Sequence, residues 1–158
     1  MNKKYICAID PGVNGAIAII ESNGKFVSVQ DMPTFKTGTK KQKEVDPIKL
    51  VEMFDESCVD IVILEKVHAM PQQGVTSTMN FGINFGVLKG AVGSLGLIPV
   101  LVTPQKWKKH FGLIKKPKDE ARLLAQKRFP SASLERKKDV DRADALLMAL
   151  WYAETYKP

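Results

Sequence analysis

Cysteine, histidine and tyrosine are scarce in this 158-residue chain, at two, two and three residues. Cys7 and Cys58 lack metal-ligand spacing and make no disulfide framework, so both read as small reduced core residues. No apolar run approaches the roughly 20 residues that a membrane-spanning helix needs, and the N-terminus shows no signal-peptide pattern, which leads us to expect a cytoplasmic protein. Repeats and low-complexity segments are also missing. What remains, 44% hydrophobic and 26% charged residues, is the composition of an ordinary soluble globule. The length suits a single domain over residues 1–158 with a core that needs no staples.

An acidic excess is missing too: the formal net charge is +7. Residues 1–103 carry ten basic and ten acidic side chains and cancel. Residues 104–138 carry twelve basic residues against three acids, and residues 139–158 two against four. The whole basic excess therefore falls in one stretch. Any single lysine there reads as ordinary solvated surface. The stretch as a whole reads as attraction to a polyanion, and nucleic acid is the natural partner.

Patterning predicts strands at 4–10, 16–21 and 25–32, joined by the turns Pro11–Gly15 and Ser22–Gly24 into an antiparallel meander. Residues 34–45 lack apolar periodicity and read as an exposed basic loop. Asp46-Pro47 opens a helix to about Cys58, and a strand ending at Glu65 follows. After a loop at 68–75, Thr76 or Ser77 is expected to cap a long helix to about Ser94. Gly82, Gly86, Gly90 and Gly93 lie along it, each weakening a helix by about 1 kcal/mol relative to alanine. A side-chain-free face admits a close neighbour, either the protein's own sheet or a second subunit. A strand at 97–102, short helices after Thr103-Pro104 and at 118–129, and a final helix at 139–156 complete an α/β domain with a mixed sheet.

Four acids stand out against this plan. Asp10 and Glu65 end apolar strands, where an uncompensated charge is costly. A strand after a crossover helix tends to pair in parallel with an earlier one, which would bring both acids to one sheet edge. Asp141 and Asp144, i and i+3 on the last helix, share a face and gain from its dipole. Four anions close together repel, by about 4 kcal/mol for a pair at 4 Å and an effective dielectric of 20. Mg²⁺ or Mn²⁺, hard cations that take oxygen ligands, would relieve that repulsion. Two such ions about 3.5–4 Å apart can activate water and stabilise a leaving oxygen in phosphodiester cleavage. Taken singly, each acid also reads as structural, and Asp139 reads as an ordinary helix-start acid. Gly12 and Gly15 permit a hairpin whose amides can approach a phosphate. Nucleotide-binding folds of the actin and sugar-kinase kind share that device, but they need two such domains.

The stretches Ile9-Asp10-Pro11-Gly12 with Gly15, Leu64-Glu65, and Asp141-Arg142-Ala143-Asp144-Ala145 resemble the RuvC family of Holliday-junction resolvases, within the RNase H-like nucleases. Element order and length agree over nearly the whole chain. The resemblance implies a five-stranded mixed sheet, an antiparallel three-strand meander plus two parallel strands, flanked by helices. It implies that Asp10, Glu65, Asp141 and Asp144 are catalytic metal ligands for about two Mg²⁺ ions, with Mn²⁺ able to substitute. It further implies a homodimer that places paired nicks on a four-way DNA junction, in a bacterial or phage-infected cytoplasm. Among the family's DNA-contacting lysines, Lys108 and Lys118 match best, with Lys106, Lys109, Lys115 and Lys116 as rivals. Where bacterial members resemble Glu-x-x-Phe with a wedging aromatic ring, Glu65-Lys66-Val67-His68 presents His68. A histidine stacks on a base with a smaller ring. That change and the large 34–45 segment suit a phage-type or divergent resolvase, with or without a branch-migration motor. The rival expectations are a junction-binding protein without nuclease activity, and a related nuclease acting on hybrids or flaps.

Overall fold

The computed structural model describes residues 3–38 and 42–157. In chain order its strands are β1 (Tyr5–Asp10), β2 (Ala16–Glu21), β3 (Phe26–Asp31), β4 (Thr34–Thr37), β5 (Gln42–Val45), β6 (Ile61–Glu65) and β7 (Val100–Val102). The helices are α1 (Pro47–Glu56), α2 (Val75–Ser94), α3 (Pro104–His110), α4 (Lys118–Arg128) and α5 (Val140–Tyr156). The main sheet has the order β3-β2-β1-β6-β7, with β1, β2 and β3 antiparallel and β6 and β7 parallel to β1. The expected five-stranded mixed sheet is therefore present. No helix among the described residues is long and apolar enough to cross a membrane.

Both faces of the sheet are covered, which is why its central strands are apolar without interruption. Alternation then sorts the side chains. Ile6, Ala8, Ala18 and Ile20 face a core shared with α4 and α5, where Leu146, Met148 and Trp151 are buried. Cys7, Ile9, Ile17 and Ile19 face a second core with Leu50 and Phe54 of α1 and Leu88 and Val92 of α2. Asp46 caps α1 as its sequence indicates, its Oδ1 accepting from the amides of Ile48 and Lys49 at 3.1 Å.

Several expectations are corrected. Within the 34–45 segment, Thr34–Thr37 and Gln42–Val45 pair as a second, two-stranded sheet, with Lys36 opposite Lys43. Val45 is buried, and its amide donates to Asn84 Oδ1 of α2 at 2.9 Å. Most of the hairpin's remaining side chains are exposed or half-buried, so no apolar alternation announced it. The Lys40–Lys41 part of the expected basic loop lies outside the described residues. Helix α2 starts at Val75 on Gly74, without the side-chain cap expected from Thr76 or Ser77. Cys7 is buried as expected, and burial pushes its thiol pKa up, but Cys58 is exposed in the turn after α1, at φ 46°. The glycines of α2 do not press on the protein's own sheet: among the described residues, a Cβ at Gly82, Gly86, Gly90 or Gly93 would meet nothing within 4 Å.

Candidate active site

The site is built at the edge where β1 and β6 both end. Their parallel register pairs Ile9 with Leu64, so the next residues, Asp10 and Glu65, emerge side by side. Beyond Asp10 the chain reverses tightly through Gly12, at φ +105°, and Gly15, whose amide donates to the Gly12 carbonyl at 3.0 Å. A Cβ on Gly15 would lie 1.9 Å from the Asp10 carbonyl oxygen, so only glycine lets the turn close over that strand end. A cavity of about 300 Å³ opens here, lined by Asp10, the 11–15 turn, Phe81 and Asp141.

The other two acids come from the start of α5, which packs across β1 and β2. Its first turn is anchored from outside. Arg142 Nε donates to Asp31 Oδ1 of β3 at 2.6 Å. Just upstream, Asp139 is buried and accepts from the Arg136 amide at 2.9 Å and its guanidinium at 2.7 Å. Asp139 is thus the structural acid its position suggested. With both ends of the turn held, Asp141 and Asp144 face the strand edge.

The structure brings the four acids into electrostatic contact. Burial holds the Asp10 carboxyl well above the usual carboxylate range, and the charges of Glu65, Asp141 and Asp144 raise it further. Burial likewise pushes Asp144 up to about 7, with Glu65 and Asp141 adding repulsion. Glu65 and Asp141 are raised as well, mainly by burial, with Lys118 and Asp10 offsetting part of the rise at Asp141. Among the described residues no three such side chains converge closely enough to form a ready metal cage. Burial first and mutual repulsion second favour the protonated carboxyls, and repulsion without a counter-charge also favours side chains that splay apart. The donor set fits a hard divalent cation, since all four groups are carboxylates and chemistry of this kind prefers oxygen.

Two of the six candidate lysines reach this cluster. Lys108 on α3 lowers the pKa values of Asp10, Glu65 and Asp144, and Lys118 at the start of α4 lowers those of Asp141 and Asp144. Lys106 instead lies over the Trp151 ring, 5.4 Å from its centroid, while Lys109, Lys115 and Lys116 are exposed. His68 is exposed in the loop between β6 and α2, beside an apolar recess lined by Val67, Ala69, Phe81 and Phe85. One residue at the site had no sequence signal beyond its apolar character. Trp107, fully buried, donates its indole N–H to Glu65 Oε1 at 2.9 Å.

No protein-family model and no curated protein sequence matches the chain. Solved structures do. The chain resembles Thermus thermophilus RuvC in complex with a Holliday junction substrate at TM-score 0.68 and 15% identity, covering 96% of this chain and 95% of that one. A second T. thermophilus RuvC structure aligns at TM-score 0.60 and 14% identity, over 95% of both chains. This chain has the RuvC-type, RNase H-like fold. The yeast mitochondrial Holliday junction resolvase Ydc2 aligns less closely, at TM-score 0.50 and 14% identity, over 94% of this chain and 78% of that one. Sequence identity this low carries the fold and leaves the chemistry to be argued from the residues above.

Proposed function

We propose that the chain is a single RNase H-like nuclease domain, a divalent-metal-dependent DNA endonuclease that resolves four-way junctions and acts on related branched DNA. The observation that carries this reading is the gathering of Asp10, Glu65, Asp141 and Asp144 from three elements at one sheet edge, with Lys108 and Lys118 beside them. The likeness to a RuvC solved with a Holliday junction supports branched DNA as the substrate. Mg²⁺ or Mn²⁺, two ions per site, would when bound supply an activated water and charge stabilisation at the leaving oxygen. Asp10 and Glu65 would hold the metal centre from the strands, and Asp141 and Asp144 would complete it from the helix. Lys108 and Lys118 offset the surplus negative charge and attract the phosphate backbone. Lys106, Lys109, Lys115 and Lys116 extend that basic track. Lys36 and Lys43 form a second basic rung: like charges directly opposite each other across strands destabilise a hairpin, and a phosphate between them removes that cost. His68 stands in the loop next to Glu65, where it stacks on an unpaired base.

Two active sites are needed for paired nicks, and α2 supports a homodimer. Val75, Met79, Gly82, Ile83, Gly86 and Gly90 fall on one side of the helix at helical spacing. Val75 is 86% exposed and Met79 66%, and among the described residues no atom lies within 4 Å of where a Cβ on the glycines between and beyond them would stand. A second copy of the helix would bury that stripe.

The test is Mg²⁺-dependent cleavage of a labelled four-way junction, run beside flap, fork and RNA–DNA hybrid substrates. Wild type should nick the junction in pairs, and Asp10→Asn should lose cleavage while still binding the junction in Ca²⁺. Binding without cleavage by the wild type would favour a junction-binding protein. Preference for hybrids or flaps would move the substrate to the related nucleases.

A further inference from the structure

Helix α3 begins directly after β7, whose Val102 pairs with Glu65 and whose carbonyl accepts from the Lys66 amide at 2.7 Å. Pro104 opens the helix, and Trp107 lies one turn later, so its side chain returns to the sheet edge from which the chain has just left. Trp107 is completely buried, Glu65 is 8% exposed, and the indole Nε1–H meets Oε1 at 2.9 Å. The neighbouring Lys108 lies 5.2 Å from the centroid of the same ring.

The chemistry of the donor matters. An indole N–H donates and cannot accept, so it never competes for the metal and never changes role. It also selects between two otherwise equivalent oxygens: Oε1 is engaged, and Oε2 keeps its full acceptor capacity. A glutamate at a strand end has three side-chain torsions, and fixing one oxygen against a buried ring removes most of that freedom. Metal ligands are commonly tuned by such partners, whose loss costs about 10–100-fold in affinity.

Resting on the metal-centre reading above, we propose that Trp107 is a positioning residue that holds Glu65 by one oxygen and reserves the other for the metal. Trp107 acts through Glu65 and does not itself touch metal or DNA. An aliphatic residue of the same volume would fill the core equally well and leave the carboxylate free to turn away.

The test uses Mn²⁺ without DNA, free ion being counted by electron paramagnetic resonance. Trp107→Phe removes the donor. A second variant carrying β-(3-benzothienyl)alanine at 107 removes only the N–H and keeps the bicyclic shape, so it answers the question even where Phe loosens the core. Both should bind Mn²⁺ about tenfold more weakly than wild type, with the benzothienyl variant melting like wild type and binding junction DNA normally in EDTA. In a Trp151→Phe background Trp107 is the sole tryptophan, and its fluorescence should be quenched by Mn²⁺ with the affinity measured by resonance. Mn²⁺ affinity of the benzothienyl variant within about twofold of wild type overturns the positioning role alone. A wild type that takes up no Mn²⁺, or a Glu65→Gln variant that binds it as tightly, overturns the metal-centre reading and the positioning role with it.

Discussion

Removing the Asp144 charge should make the metal-free protein more stable and, in the same step, useless as a nuclease. Asp144 sits in the second turn of α5 with its carboxyl pushed up to about 7, first by burial and then by Glu65 and Asp141, against the partial relief of Lys108 and Lys118. In the unfolded chain an aspartate titrates near 3.9, and each unit of difference is worth about 1.4 kcal/mol. The ceiling on the cost of ionising Asp144 in the folded state is therefore about 4 kcal/mol. Water at the open edge and relaxation of the neighbouring carboxylates screen part of it, and the expected gain for Asp144→Asn is about 1–3 kcal/mol. The sign follows from proton linkage. Between the unfolded value and about 7 the native protein keeps a proton that the unfolded chain has lost, so wild-type stability falls as pH rises through that window. Asparagine has no such dependence. Urea unfolding in EDTA at about pH 4.5 and about pH 8 should show little difference between the two proteins at the lower pH and the full gain at the higher. An equal gain at both pH values, or a less stable variant at the higher one, would refute the electrostatic argument. Mg²⁺ should then reverse the order. At tenfold excess over its dissociation constant it stabilises a binder by about 1.4 kcal/mol, and that increment should appear in wild type and be missing from Asp144→Asn.

Two further expectations concern DNA and assembly. Reversing charge at Lys108 and Lys118 should weaken junction binding and flatten its salt dependence by about one to two phosphate contacts, measured as the slope of log affinity against log salt; an unchanged slope removes both from the interface. Gly86→Leu places a branched side chain in the open stripe of α2, where among the described residues its Cβ would meet nothing within 4 Å. The folded protein should persist by circular dichroism while sedimentation shows monomers, and an intact dimer would move the subunit interface elsewhere.

How far the sequence could be read depended on whether a residue's role left a local mark. Asp10 and Glu65 were legible because a charge ending an apolar strand conflicts with its surroundings, and Asp141 and Asp144 because helical spacing puts them on one face. Trp107 created no conflict: a tryptophan in a short amphipathic helix is what packing alone would place there, and its hydrogen bond to Glu65 spans 42 residues of sequence. The hairpin at 34–45 was missed for the opposite reason, because strands exposed on most of their surface have no reason to alternate. Its anchor, Asn84, is likewise an ordinary polar residue until α2 is set against β5.

The lysines show how fold resolves what composition leaves degenerate. Six of them in the basic segment are chemically equal, and local spacing separates none. Once Trp107 is turned inward to Glu65, the adjacent Lys108 lies against the Trp107 ring, where its charge acts on the acids, and Lys106 is carried round to the Trp151 ring. The buried indole therefore orders both sides of the charge balance, setting one carboxylate of the cluster and the cation that faces it. Removing the ring at 107 should for that reason shift Lys108, whose charge acts on the acids, as well as free Glu65. A double-mutant cycle between Trp107→Ala, which removes the ring as well as the N–H, and Lys108→Ala, read in junction affinity, should be non-additive, whereas one between Trp107→Ala and Lys36→Ala should be additive.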